Sequence, residues 1–244
     1  MSNRVHEFTA YPTLGSRIRR RLLDIPGRLA DAQDALLPGE FARFYRRVAP
    51  YTMSNKRRLR GLYGAVNHVL AHDIPGDIVE CGTARGGSAA LMGLTLQARG
   101  SHRKLWVFDT FEGLPPPTQD DPDYEFASQF TGQLRAGLEE VQSLFDACGL
   151  LEQTVFVKGL FQETLPVTPI ERIAVLHIDG DWYESVKVCL ETLYDRVSPG
   201  GIIQLDDYGD WAGAKKAVDE FLAARCPGER LHYLDRTGRQ LVKP

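Results

Sequence analysis

DIVECGTARGGSAALMGLTLQA, residues 77–98, decides the fold. Asp77 to Cys81 is a short apolar run that fits a buried strand. Gly82, Gly86 and Gly87 follow as a flexible turn, and an apolar helix is predicted from about 87 to 98. The same unit recurs downstream. Lys104 to Phe108, Thr154 to Val157, Ile173 to Ile178 and Gly201 to Leu205 read as buried strands, with helices near 134–148, 184–196 and 213–225. Strands alternating with helices predict a βαβ chain folding into a largely parallel sheet. Residues 230–243 break the alternation: two short strands around Arg236-Thr237-Gly238 read as a hairpin whose last strand lies antiparallel to its neighbour. The expected fold class is therefore α/β, doubly wound, with a mostly parallel seven-stranded sheet closed by an antiparallel C-terminal hairpin.

Upstream, residues 1–75 show helical periodicity without convincing strands. Ile18 and Leu22 lie one turn apart, Leu29 and Leu36 two, and Leu59, Leu62, Val66 and Val69 mark a further helix, with Pro26 and Pro38 separating the pieces. A length of 244 residues suits one domain, 1–244, comprising a helical extension to residue 75 and a core from 77 to 244. Between 112 and 132 the pattern is irregular. Pro115, Pro116, Pro117 and Pro122, with Asp120, Asp121, Asp123 and Glu125, read as a long ordered loop or lid that follows a strand on the ligand side.

A net charge of -3 gives no basic field for gripping nucleic acid. The arginines at 17, 19, 20 and 21 precede no apolar stretch, which argues against a signal peptide or membrane span and assigns this helix to the surface or a subunit contact. Cys81, Cys148, Cys189 and Cys226 lack CxxC spacing, so neither a zinc site nor a disulfide framework is expected and a reducing, cytoplasmic setting is.

In open α/β sheets the ligand sits beyond the carboxyl ends of the strands. Val79 through Ser88 cover the end of the first. The spacing is not GxGxxG, and Glu80 before the first glycine would repel a pyrophosphate, which suits a cationic ligand instead. A plain tight turn uses the same residues. Asp109, ending the second strand, can accept hydrogen bonds from the ribose hydroxyls that NAD and adenosylmethionine share.

The fourth and fifth strands end in His177-Ile178-Asp179-Gly180-Asp181-Trp182-Tyr183 and Leu205-Asp206-Asp207-Tyr208. Up to four carboxylates thus meet at one sheet edge, with no Lys or Arg adjacent in sequence, and a hard cation such as Mg²⁺ removes their repulsion. Solvated strand ends and helix caps are the alternative. His177, inside an apolar strand, reads as a hydrogen-bonded core residue. Trp182, Tyr183, Tyr208 and Trp211 either line an acceptor pocket or pack, and Lys215 and Lys216 read as a solvated helix face.

The segments VECGTARGGSA, VFDTFEGLP, KGLFQETLP, HIDGDWYES and GGIIQLDDYGDWAGAKKAVDEFL resemble the macrocin O-methyltransferase family, metal-dependent enzymes that methylate sugar hydroxyls of bacterial natural products. The resemblance runs from about Thr52 to Leu222. It implies a Rossmann-like methyltransferase fold, S-adenosylmethionine as cofactor, and a small-molecule acceptor, a glycosylated natural product. Glu80, Gly82, Ser88 and Asp109 would contact the cofactor, and Thr52-Met53 would cover its methionine part. Asp179, Asp206 and Asp207 would hold Mg²⁺, and Asp181 would serve as general base, with Asp179 the alternative. The first fifty residues and the hairpin carry little of the resemblance and are candidates for shaping the acceptor pocket or for contact in a homodimer or higher homo-oligomer. Two rivals stand beside this reading. A nicotinamide-dependent oxidoreductase leaves the aspartate cluster unexplained, and a non-catalytic adenosylmethionine-binding protein needs no metal.

Overall fold

The computed structural model describes residues 39–244. The expectations placed on Ile18, Leu22, Leu29, Leu36, the arginines at 17–21, Pro26 and Pro38 lie outside them. Among the described residues two α-helices precede the sheet, α1 (Glu40–Val48) and α2 (Lys56–Ala71). Asn55 caps α2 by accepting from the Arg57 and Arg58 N–H groups, and Leu59, Leu62, Val66 and Val69 recur on its buried stripe.

The core then runs β1 (Asp77–Cys81), α3 (Gly87–Ala98), β2 (Leu105–Asp109), α4 (Tyr124–Ala127), α5 (Leu138–Cys148), β3 (Thr154–Lys158), α6 (Phe161–Thr164), β4 (Ile173–Ile178), α7 (Tyr183–Leu193), β5 (Val197–Leu205), α8 (Ala212–Arg225), β6 (His232–Tyr233) and β7 (Arg239–Val242). The seven strands form one sheet in the order β3-β2-β1-β4-β5-β7-β6. β1 to β5 are mutually parallel, and β7 runs antiparallel to both β5 and β6. This is the expected doubly wound, mostly parallel sheet with an antiparallel C-terminal hairpin. Its central strands read as continuous apolar runs because both faces are covered; every residue of β4 is buried.

Several boundaries moved. β2 starts at Leu105, one residue later than expected, and β3 extends through Lys158. The helix expected from 134 starts at Leu138, since Gly137 is extended and takes the N-cap position. β5 starts at Val197, because Val197 pairs with Ile173 ahead of a register shift that Pro199-Gly200 conceals in sequence.

The strand order reverses between β1 and β4, which pair in register up to Cys81 opposite Ile178. The ladder continues one residue further: the Gly82 N–H bonds the Phe108 carbonyl, Asp179 that of Cys81, and Asp206 that of Ile178, at 2.8, 2.9 and 3.0 Å. Gly82, Asp179 and Asp206 therefore stand in one row at the switch point, where this class of sheet binds ligands. One sheet face packs on α7 and α8 through Val79, Cys81, Leu176, Ile178, Ile203 and Leu205. On the other, next to α2, Glu80, His177 and Gln204 lie side by side in register, all fully buried. The four cysteines are buried and unpaired. No described helix is long and apolar enough to cross a membrane.

Candidate active site

A cavity of about 470 Å³ opens over this row. Thr52, Met53, Gly82, Ser88, Asp109, Asp179, Asp181, Asp206 and Asp207 all line it. Of the site residues named from sequence only Glu80 lies apart, fully buried outside the lining, where its carboxylate accepts from the Thr83 hydroxyl at 2.6 Å and meets His177 Nδ1 at 2.8 Å.

The β1–α3 turn forms one wall. Gly82 has φ of 88°, and a Cβ there would fall 1.8 Å from the Asp179 carbonyl oxygen, so only glycine lets β1 and β4 end this close together. Asp109 organises the turn from the neighbouring strand. Its Oδ2 accepts from the Thr83 and Ala84 N–H groups at 2.8 and 3.0 Å, and its Oδ1 from Phe111 N–H at 2.8 Å.

Beside this turn the aspartates converge. One carboxylate oxygen from each of Asp179, Asp181 and Asp207 lies within 4.8 Å of the others, as do ligand atoms of His177, Asp179 and Asp206. Burial raises Asp179 well above the usual carboxylate range, with Asp206, Asp207 and Asp181 adding to the shift. Burial and Asp207 do the same to Asp181. Asp207 is pushed up to about 7 by burial and by Asp206, against the Asp181 N–H that donates to its Oδ2 at 3.0 Å.

Asp206 has a different setting. Its Oδ2 accepts from the Ser54 hydroxyl at 3.0 Å and from Arg58, whose Nε also reaches Asp235 at 3.4 Å, while its Oδ1 lies 3.5 Å from His177 Nε2. His177 thus bridges the strand that carries Glu80 and the one that carries Asp206. Burial opposes its protonation, but the hydrogen bonds to Asp206 and Glu80 prevail and raise it to about 9. The core role read for His177 from sequence agrees with its complete burial.

Arg58 escaped the sequence reading, which saw no basic residue beside the aspartates. It lies on α2 in the run Lys56-Arg57-Arg58-Leu59-Arg60, whose composition reads as solvated surface. Its one local signal is phase: Arg58 lies a turn before Leu62 on the stripe that continues through Ala65 and Val69, and α2 packs that stripe over β4 and β5. Of the four aromatics weighed for an acceptor pocket, Trp211 lines the cavity. Trp182 is buried and donates to the Pro115 carbonyl at 2.7 Å, and the Tyr183 and Tyr208 hydroxyls bond Glu220 and Asp219. Lys215 pairs with Asp219 and Lys216 with Asp120 on the helix exterior. The 112–132 segment supplies Gly113, Leu114, Pro115 and Phe130 to the wall, and Phe161 and Leu160 complete an apolar side.

A family model described as macrocin-O-methyltransferase (TylF) matches residues 44–242. The 8-demethyl-8-(2,3-dimethoxy-alpha-L-rhamnosyl)-tetracenomycin-C 4'-O-methyltransferase of Streptomyces olivaceus is 40% identical over 193 residues, covering 77% of this chain and 74% of its own. The mycinamicin III 3''-O-methyltransferase of Micromonospora griseorubida is 33% identical over 233 residues, 93% of this chain and 91% of its own. Among solved structures, the O-methyltransferase NovP superposes with a TM-score of 0.75 at 38% identity over 79% of this chain and 82% of its own. A model match across nearly all of the described residues, with relatives at this identity and coverage, means that the chain belongs to the macrocin-O-methyltransferase family.

Proposed function

We propose that this protein transfers a methyl group from S-adenosylmethionine to a sugar hydroxyl of a glycosylated natural product, with a divalent cation held at the aspartate cluster. One observation carries the reading: a single cavity joins the glycine turn and Asp109 to Asp179, Asp181, Asp206 and Asp207. The acceptor class follows the relatives, whose names specify a rhamnosyl-tetracenomycin and a mycinamicin as substrates.

The donor set suits both ligands. The Asp179, Asp181 and Asp207 group offers oxygen donors alone, which favours a hard cation, while the adjoining group of Asp179 and Asp206 includes a nitrogen of His177. We assign Asp179, Asp206 and Asp207 to Mg²⁺, and Thr52, Met53, Gly82, Ser88 and Asp109 to adenosylmethionine, with Glu80 acting from beneath through Thr83. When bound, the cofactor supplies an electrophilic methyl group and the cation lowers the pKa of a hydroxyl beside it.

The chain's own residues do the rest. Asp181, on the cavity wall next to Asp207, takes the acceptor's proton on its carboxylate, with Asp179 the alternative base. The glycine turn with Asp109, and the aspartates beside it along the same row of strand ends, hold the two substrates in line. The 112–132 segment, as a lid, keeps water from the reacting centre. The molecule works as one catalytic domain with residues 1–75 as its N-terminal extension.

Calorimetric titration of adenosylmethionine and then Mg²⁺, with adenosylhomocysteine as control, tests this. Cofactor binding, together with a metal site that disappears in Asp206→Asn, is the expected result. Absence of binding by either ligand overturns the reading.

A further inference from the structure

We infer that Asp121, in the 112–132 segment, is a positioning residue for Asp181. Asp181 has φ of 57°, a left-handed conformation that a non-glycine residue keeps only where its surroundings enforce it. The turn is tight: the Trp182 N–H bonds the Gly180 carbonyl at 2.6 Å, and α7 starts at Tyr183. Trp182 occupies the N-cap position of α7 and cannot cap it with its side chain.

The missing acceptor comes from elsewhere in the chain. Asp121, 2% exposed, accepts from the Tyr183 N–H through Oδ1 at 2.7 Å and from the Thr118 N–H through Oδ2 at 2.9 Å. The arrangement recurs one helix later. Trp211 takes the N-cap of α8, again without a side-chain cap, and Asp123 Oδ2 lies 3.4 Å from the Ala212 N–H. The first turn of α8 is hollowed for Asp121, since a Cβ on Gly213 would stand 1.8 Å from its Oδ1. Phe126 and Phe130 pack on Trp211 at 5.9 and 5.3 Å, so the segment is seated by apolar as well as polar contacts.

The two helices that begin just after the two acidic motifs are thus capped from the segment that walls the cavity. Asp121 does not line that cavity; it acts through the turn. From there the Asp181 N–H passes the constraint to Asp207 Oδ2 at 3.0 Å. Seating the segment and setting the geometry of the candidate base are one event. The geometric coupling stands without a ligand, while its catalytic meaning rests on the function proposed above.

Hydrogen exchange by mass spectrometry on the full chain, and Mn²⁺ affinity by electron paramagnetic resonance, test the assignment without an acceptor. Asp121→Ala is expected to speed exchange about tenfold in both 112–132 and 180–187 while β1 and β4 keep their protection, and to weaken Mn²⁺ by about threefold or more. Gly213→Ala, which displaces Asp121 without altering it, should reproduce both effects. Asp121→Asn retains an acceptor for the Tyr183 N–H and should recover most of the protection at 180–187. Faster exchange confined to 112–132, a uniform rise across the whole chain, or an Asn variant no better than Ala overturns the assignment. A wild-type protein that binds no Mn²⁺ counts instead against the metal reading, and the exchange results then decide the role of Asp121.

Discussion

The carboxylates that line the cavity are held in two opposite ways. Asp109 is satisfied by the chain itself, with three backbone N–H groups converging on its oxygens, so the proposed cofactor site is organised before any ligand arrives. Asp179, Asp181 and Asp207 have less support: burial raises all three, with Asp206 the largest neighbouring charge on Asp179 and on Asp207, and Asp207 the largest on Asp181. Asp206 stands between the two cases, balanced by Ser54, Arg58 and His177. The contrast shows where the protein keeps unspent electrostatic energy: a cation gains most where the chain has supplied least compensation.

The largest effect that would break this contrast is on turnover. Asp207→Asn is expected to lower methyl transfer, measured as adenosylhomocysteine release with glycoside acceptors, by about a thousandfold, equivalent to about 4 kcal/mol. Adenosylmethionine affinity should stay within about twofold, because Asp207 is not among the residues proposed to hold that ligand. Wild-type turnover in this variant would mean that the aspartates do not carry the reaction.

Next is the balanced carboxylate. Arg58→Met strips a nearly buried aspartate of its guanidinium and should cost about 3 kcal/mol. In a domain of this size that lowers Tm by roughly 6 to 12 °C. An unchanged Tm in calorimetry would place Arg58 outside the set that stabilises Asp206.

Asp109→Ala removes the organised site's carboxylate and should weaken adenosylmethionine by about 1 to 3 kcal/mol. Unaltered affinity in the same titration would mean that the backbone turn binds the cofactor unaided.

The smallest effect sharpens the contrast through pH. A carboxyl whose folded pKa is raised favours its protonated form in the native state, so its contribution to stability is present at low pH and is lost as pH rises from the unfolded value, about 4, through the folded one, about 7 for Asp207. His177, raised to about 9, adds stability that is full below its unfolded value of about 6.5 and is lost as pH climbs through 9. Without divalent cations, Tm should therefore decline from pH 5 to 9. Asp207→Asn should flatten the acid half of that decline and raise Tm at pH 7 by about 2 to 4 °C, the shift produced by about 1 kcal/mol. A variant less stable than wild type at pH 7 would show that Asp207 is not a repelled charge.

Much of this was legible in sequence where the signal is local. Strand ends are marked by an apolar run stopping at a glycine or an acid, and 79–88, 179–181 and 206–207 are such places. Given the parallel sheet and the strand order that sets β4 between β1 and β5, register brings Gly82, Asp179 and Asp206 together. What stayed hidden depends on contacts between distant segments. Arg58 meets an aspartate 148 positions away, and its own neighbourhood reads as surface. Asp121 and Asp123 read as acidic loop residues because a cap is normally sought just before the helix it serves, whereas these serve α7 and α8 from across the fold. Trp182 and Tyr183 flank an acidic motif in sequence yet turn into packing and hydrogen bonds, since the turn at Asp181 sends successive side chains in different directions, and Tyr208 bonds Asp219 on α8.

The four buried thiols carry a consequence of their own. Cys81 and Cys189 sit at 0% exposure in the core, and Cys148 and Cys226 at 4 and 7% beneath α5 and α8. Burial raises Cys81 and Cys148 above the ordinary thiol range, which leaves less of each as the reactive thiolate. An alkylating reagent must therefore wait for the chain to open, and the order in which the four positions are modified is a clock for the order in which the molecule comes apart, from its rim inward to the middle of the sheet.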